Sequence, residues 1–227
     1  MDRDTPHYHG HRERLRRRLL DRGAASLADH EVLEFLLFGA RARGDTKPLA
    51  KALIARFGNL AGVLSASPQE LATVSGVGDA AIAILKIVPE AARRLALEEI
   101  LERPILGSWS QVLTYCRIVM GREKIEQFRL LFLDAKNRLI ADEVQQRGTL
   151  DHTPVYPREV VKRALELDAS ALIMVHNHPS GDPTPSKADI EITRLVQAAA
   201  AELGITVHDH IVIGRTGHNS FKSLGLL

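Results

Sequence analysis

A chain of 227 residues, 45% hydrophobic and 26% charged, can bury one large core or two small ones, and an aromatic content of 4% leaves that core to Leu, Ile, Val and Ala. A single cysteine, Cys116, excludes an internal disulfide, and no apolar run approaches the ~20 residues of a membrane span, so no membrane partner is expected and a reducing cytoplasm is the default setting. The net charge of +2 is too small to argue for a nucleic-acid partner by itself.

Residues 1–104 hold 16 basic and 14 acidic side chains, with the excess gathered in His11-Arg12-Glu13-Arg14-Leu15-Arg16-Arg17-Arg18. The run reads as a solvated helix face with Leu15, Leu19 and Leu20 turned inward. The competing reading is a phosphate-contacting patch. His7, His9 and His11 fall in what reads as a frayed terminus. Short helices with clear punctuation follow. Ser26-Leu27-Ala28-Asp29 resembles a capping box ahead of the apolar stretch 32–38, which Gly39 should stop. Thr46 can cap a second helix that ends at Phe57-Gly58. Ser67-Pro68-Gln69-Glu70 is a stronger signature, with Ser at the cap, Pro at N1 and Glu at N3. A long Ala-rich helix should then run to about Leu101. Pro104-Ile105-Leu106-Gly107 reads as the linker between a helical domain, 1–103, and a second domain, 105–227.

In the second half the texture changes. Ser108 can cap a helix to about Gly121, whose apolar face makes Cys116 a small buried hydrophobe rather than a nucleophile. Segments 128–134 and 139–144 read as strands joined by Ala135-Lys136-Asn137. Pro157 can open a helix to about Leu167, and the short apolar run 171–175 reads as a buried central strand. From Ser186 a helix should turn Ile190, Leu195, Val196, Ala199 and Leu203 to one side, with Gly204 ending it. Segments 205–207 and 211–213 are further strand candidates. Strands interspersed with helices make this half α/β or α+β.

The chemistry concentrates in Val175-His176-Asn177-His178-Pro179-Ser180-Gly181, which runs on to Ser186 and Asp189. Two histidines two residues apart at a strand end point to the same side, so both imidazoles can reach one zinc ion at ~2.0–2.1 Å. A loop rich in Pro, Gly and Ser then returns the chain to a helix start, where Asp189 can add a carboxylate oxygen. Three protein ligands leave a fourth position for water, the pattern of a catalytic zinc. The alternatives are two hydrogen-bonded loop histidines and a Ser186–Asp189 helix cap. His208-Asp209-His210 carries the same alternation and is either a rival metal pair, a support for the first, or a hydrogen-bonded structural element.

The spacing His176-x-His178-x7-Ser186-x2-Asp189 resembles the JAMM motif of MPN-type metalloprotease domains. With Tyr156-Pro157-Arg158-Glu159 and Asp209-His210-Ile211, the words resemble the RadC-like (UPF0758-type) family along nearly the whole chain. The resemblance implies a mixed sheet flanked by helices, preceded by an all-α domain. It also implies one zinc per chain on His176, His178 and Asp189, with a glutamate ahead of an early strand as general base. Glu126, followed by Gln127-Phe128-Arg129-Leu130-Leu131-Phe132-Leu133, fits that position best, with Glu143, Glu159 and Glu123 as alternatives. Where the family often has glycine three residues after this glutamate, this chain has Arg129. Ser186 matches the serine implicated in stabilising the oxyanion. The implied reaction is hydrolysis of a peptide or isopeptide bond in a peptide or protein substrate.

In the first half, Leu71-x-x-Val74-x-Gly76-Val77-Gly78 resembles a helix-hairpin-helix motif. In such a motif Gly76 and Gly78 would let backbone N–H groups approach a DNA phosphate without sequence preference. Asp79 and the absence of a basic residue before Lys86 weaken that interaction, so any DNA binding should be weak. Besides the hydrolase, the sequence therefore leaves a DNA-associated repair or processing factor and a non-catalytic scaffold as functional classes. It leaves the oligomeric state open.

Overall fold

The computed structural model describes residues 10–101, 103–148 and 155–227. The chain divides into two compact units, 1–91 and 92–227. The division falls inside one continuous helix, ahead of the 103–105 boundary that the sequence suggests.

The first unit is helical: α1 (His11–Arg22), α2 (Asp29–Ala40), α3 (Lys47–Phe57), α4 (Leu60–Ser65), α5 (Pro68–Ala72) and the opening of α6 (Asp79–Leu101). Leu33, Leu37, Leu53, Val63, Leu71 and Leu85 form its buried centre. The α5 cap is the expected one, with Glu70 N donating to Ser67 Oγ at 3.2 Å and Ser67 N donating to Glu70 Oε2 at 2.9 Å. The start of α2 differs from expectation. Ser26 spends its hydroxyl on Gly23 O in a preceding 3-10 turn, and the helix opens after Ala28, whose N–H donates to Glu31 Oε2 at 2.9 Å. Gly39 does not stop α2 but lies inside it, where a Cβ would come within 3.0 Å of Ile84 Cδ1. At α3 the cap is likewise displaced, from Thr46 to Asp45, whose Oδ1 accepts from Lys47 N at 2.9 Å.

Two arginines of the basic run of α1 are committed within the unit. Arg12 donates to the carbonyls of Arg41, Ala42 and Gly44 at the end of α2, and its guanidinium stacks 4.6 Å above Phe38. Arg18 pairs with Glu31. His11 is in ordered helix, 2.7 Å from the buried carboxylate of Glu34; His7 and His9 lie outside the described residues. Leu15 is buried as expected, whereas Leu20 is exposed.

Between α5 and α6 the two glycines behave differently. Gly76 has φ +87°, and its carbonyl accepts from Arg41 Nη2 at 2.8 Å. Gly78 has no positive φ and open space where a Cβ would stand. A Cβ at positive φ costs about 1–2 kcal/mol. Gly76→Ala should therefore lower the chain's thermal stability by that amount and Gly78→Ala should leave it unchanged, a contrast that calorimetry reads directly.

The second unit is a five-stranded sheet with helices on both faces. Its elements are the rest of α6, α7 (Trp109–Met120), β1 (Gln127–Leu133), β2 (Leu139–Arg147), α8 (Pro157–Glu166), β3 (Ala171–Asn177), α9 (Lys187–Ala201), β4 (Thr206–Ile213) and β5 (His218–Ser220). The strand order is β2-β1-β3-β4-β5; β3 and β4 are parallel and the other pairs antiparallel. A mixed sheet flanked by helices, behind a helical N-terminal region, is the fold the sequence implied. The expected linker holds a 3-10 turn, Ile105–Gly107, capped by Pro104, and it buries Ile105 in this unit's core.

Alternation along the strands builds two cores. Leu131, Leu133, Ile173, Val175, Ile211 and Ile213 face Val112, Tyr115, Cys116 and Met120 of α7. Phe128, Leu130, Phe132, Leu172 and Met174 face Val160 and Ala164 of α8 and Val196 and Ala200 of α9. Because helices cover both faces, β3 is buried at every residue, which is why its sequence is a continuous apolar run. Cys116 is wholly buried on α7, and burial pushes its thiol up to about 12. A thiol reagent at pH 8 should leave Cys116 unmodified in the native chain and titrate one group per chain after denaturation.

Two expectations fail here for one physical reason: polar residues inside. The inward face of α9 carries Asp189, Thr193, Val196 and Ala200, while Leu195 and Leu203 are exposed. Residues 206–207 and 211–213 belong to a single strand, β4, because the polar residues between them are satisfied in the interior. Asp209 accepts from the Ser220 hydroxyl, from Lys222 N at 3.0 Å and from His210 N at 2.8 Å.

Candidate metal centre

The unit β3–α9–β4 is a parallel strand pair with a helical crossover, and such units gather functional groups outside the carboxyl ends of their strands. His176 is at that end of β3, His178 follows the strand's last residue, and Asp189 lies in the first turn of α9. By alternation His176 lies on the α8/α9 face with Leu172 and Met174.

The ligand atoms converge. His176 Nε2 lies 3.0 Å from His178 Nε2 and 3.2 Å from Asp189 Oδ1, and His178 Nε2 lies 3.5 Å from Asp189 Oδ2. Among the described residues this is the group of histidine, cysteine and carboxylate side chains placed to hold a metal ion. His178 Nδ1 is 2.8 Å from the carbonyl of Asp182, which can only accept, so that nitrogen carries the hydrogen and Nε2 is bare in the neutral ring. Two ring nitrogens directed at one another beside a carboxylate need a cation between them, either a proton or a metal ion. His176 and Asp189 are buried and His178 is at the mouth, so an ion held there keeps one open side. The donor set of two imidazoles and one carboxylate suits a divalent metal of the zinc type.

Asp189 is a helix cap and a candidate metal ligand at once. Its Oδ2 accepts from Ser186 N at 2.7 Å, while Ser186 Oγ accepts from Asp189 N at 3.1 Å. Burial opposes the charge on Asp189, yet the facing imidazoles of His176 and His178, with a proton held among their Nε2 atoms, keep its carboxyl far below the usual range. The helix N-terminus favours the same ionised state. Hydrogen bonding to Asp189 raises His178, burial acts against it, and the charge of Glu126 adds to the rise.

Glu126 immediately precedes β1 and is half-buried. β1 and β3 pair with Phe128 opposite His176, and the same register carried two residues further, past the Gln127–Asn177 hydrogen bond, sets Glu126 opposite His178. Asn177, between the two histidines, is buried and brackets this glutamate: its Oδ1 accepts from Gln127 N at 2.9 Å, and its Nδ2 faces the carbonyls of Ile125 and Glu123 at 3.3 and 3.4 Å. The other glutamates are elsewhere. Glu143, opposite Leu130 on β2, is forked by Arg163 at 2.6–3.1 Å, which holds its carboxyl below the usual range. Glu159 is exposed beside Arg158, and Glu123 contributes its carbonyl to Asn177. Arg129 pairs with Asp142 at 2.6 Å; Asp142 also accepts from Tyr115 of α7, so the arginine points to the other face of the sheet.

His208 and His210 do not form a second pair. A register break between Leu172 and Ile173 skips His208 in the β3–β4 ladder, and this bulge shifts the alternation: Val207 packs in the α8/α9 core and Ile211 in the α7 core. His208 Nε2 reaches Asn137 Oδ1 at 2.6 Å. His210 is wholly buried, with Nε2 2.8 Å from His176 Nδ1 and Nδ1 2.6 Å from Thr193 Oγ1. Phe221 stacks on its ring at 4.6 Å and Phe128 meets it edge-on at 5.5 Å. Burial holds His210 well below its ordinary value, so the ring is neutral. Sequence reasoning missed Thr193, which spacing alone presents as one more helix residue, and Asn177, which it passed over between the two histidines.

The family comparison agrees with this geometry. A model described as a RadC-like JAB domain matches residues 106–226, more than half of the chain, and one described as UPF0758 N-terminal matches residues 9–83. The chain thus belongs to the RadC-like JAB-domain family.

Proposed function

We propose that the chain is a zinc-dependent hydrolase, with one ion per chain held by His176, His178 and Asp189, that cleaves a peptide or isopeptide bond. The observation that carries the reading is the meeting of two imidazole Nε2 atoms and an ionised buried carboxylate at the open end of β3. Zinc bound there would supply a Lewis acid and bring the pKa of a water towards neutrality. Glu126, opposite His178, takes the water's proton and passes it to the leaving amine. The Asn177 clamp on the backbone either side of it fixes where its carboxylate begins. Capping uses a lone pair of Ser186 Oγ and leaves the exposed O–H free to donate, so the cap is compatible with stabilising an oxyanion, a contribution of ~3 kcal/mol. Metal analysis of the purified chain, followed by a screen of peptide and isopeptide substrates with zinc restored, tests the reading. A chain that takes up no metal would end it.

A second reading, a DNA-associated factor, draws on the positive-φ turn at Gly76 ahead of α6. Against it stand the commitment of Arg12 and Arg18 within the unit and of Arg41 to the Gly76 carbonyl. If it holds, duplex DNA binds the full chain weakly, with affinity falling by a log–log slope of about −0.9 per phosphate contacted. Among the described residues no helix is long and apolar enough to cross a membrane.

A further inference from the structure

We infer that the Thr193 hydroxyl, acting through His210, sets which nitrogen of His176 carries the hydrogen and so keeps Nε2 free for a metal ion. The inference rests on the metal-site reading above and adds a positioning residue to it.

The argument is one of hydrogen-bond direction. Thr193 is wholly buried on α9, one turn after Asp189. Its Oγ1 lies 2.5 Å from the Asp189 carbonyl and 2.6 Å from His210 Nδ1. A carbonyl only accepts, so the single hydroxyl hydrogen is committed to Asp189 O. Towards His210 the oxygen can then only accept, and His210 must bring the hydrogen on Nδ1. A neutral His210 with Nδ1–H has a bare Nε2, and that atom is 2.8 Å from His176 Nδ1. His176 must therefore donate from Nδ1, which leaves its Nε2 bare, aimed at His178 and Asp189. The chain of donors runs one way, from His176 through His210 and Thr193 to the backbone of Asp189. Two of the proposed ligands are thereby locked to one another.

Removing the hydroxyl reverses the direction. With valine at 193, the hydrogen on His210 Nδ1 has no acceptor, and the ring is better satisfied as the Nε2–H tautomer, donating to His176 Nδ1. That moves the hydrogen of His176 to Nε2, the atom needed for the metal. Valine matches threonine in shape, so packing around α9 is retained while the relay is lost.

The test uses the full chain and zinc alone. Imidazole 15N NMR of the metal-free protein reads the tautomers, and competition against a chelator reads affinity. In the wild type, His176 and His210 should both carry hydrogen on Nδ1. Thr193→Val should shift His176 to the Nε2–H form and weaken zinc binding about 10- to 100-fold. Thr193→Ser, which restores the hydroxyl, should return both readouts towards wild type. An Nε2–H tautomer at His176 in the wild type overturns the inference, as does a Thr193→Val protein with unchanged tautomer and affinity, or a serine variant as impaired as valine. Should valine prevent folding, the wild-type tautomers still decide. Wild type that binds no zinc but keeps the Nδ1–H pattern would sink the metal reading and leave the relay standing.

Discussion

Alanine at position 176 or 178 should leave the purified chain without stoichiometric zinc, against about one ion per chain in the wild type. Each substitution deletes one of three converging donors, and neither a lone imidazole with a carboxylate nor solvent replaces it at comparable affinity. The two variants differ in what else they disturb. His176 is buried, and its loss strands His210 Nε2, at a cost of about 1–3 kcal/mol in stability. His178 is at the mouth, and its other nitrogen serves only the Asp182 carbonyl, so His178→Ala should fold nearly as well as wild type. Asp189→Asn is the third arm: an amide oxygen can still accept from Ser186 N and hold the cap, while the charge is gone. Elemental analysis after gel filtration reads all three. If both histidine variants still carried one zinc per chain, the ligand set would be wrong. His208 and His210 could not inherit the role as a pair, since the β4 bulge separates their partners.

The centre was legible because its determinants are local. A period of two brings His176 and His178 to one side of a strand, and a cap motif fixes Ser186 and Asp189 at a helix start, so four residues within fourteen positions define the cluster. The helical half was legible wherever caps were spelled out, as at Ser67-Pro68-Gln69-Glu70. What the sequence hid depends on partners distant in the chain. Apolar periodicity misassigned the α9 face because its buried side opens with Asp189 and Thr193, polar residues whose partners are His176, His178 and His210. The same blindness split β4, since the burial of Asp209 becomes intelligible only with Ser220 and Lys222 beside it. At Ser26 a competing local bond, to Gly23 O, took the hydroxyl that the capping pattern assigned to α2.

Glu126→Gln should keep zinc and lose hydrolysis, lowering kcat by about 100- to 10,000-fold, the usual scale for removing a general base. The exchange preserves shape and takes away only the capacity to accept a proton. The backbone that positions residue 126 is untouched, because Asn177 holds Gln127 N and the carbonyls of Ile125 and Glu123 rather than the carboxylate. Glu143→Gln is the matched control. Arg163 forks that carboxylate and holds its pKa low, which makes it a poor proton acceptor near neutrality. The control should retain activity and lose only a partly exposed ion pair, worth less than about 1 kcal/mol. The sign of that loss is fixed. A depressed carboxyl stabilises the fold above the ordinary carboxylate range and stops doing so as pH falls through its lowered value, so the two proteins should converge in stability in acid. Activity and zinc content must be measured on the same preparations, because an inactive Glu126→Gln without metal would report a lost ligand and not a lost base. Full activity in a zinc-loaded Glu126→Gln protein would remove Glu126 from the mechanism, and the corresponding loss in Glu143→Gln or Glu159→Gln would identify its replacement.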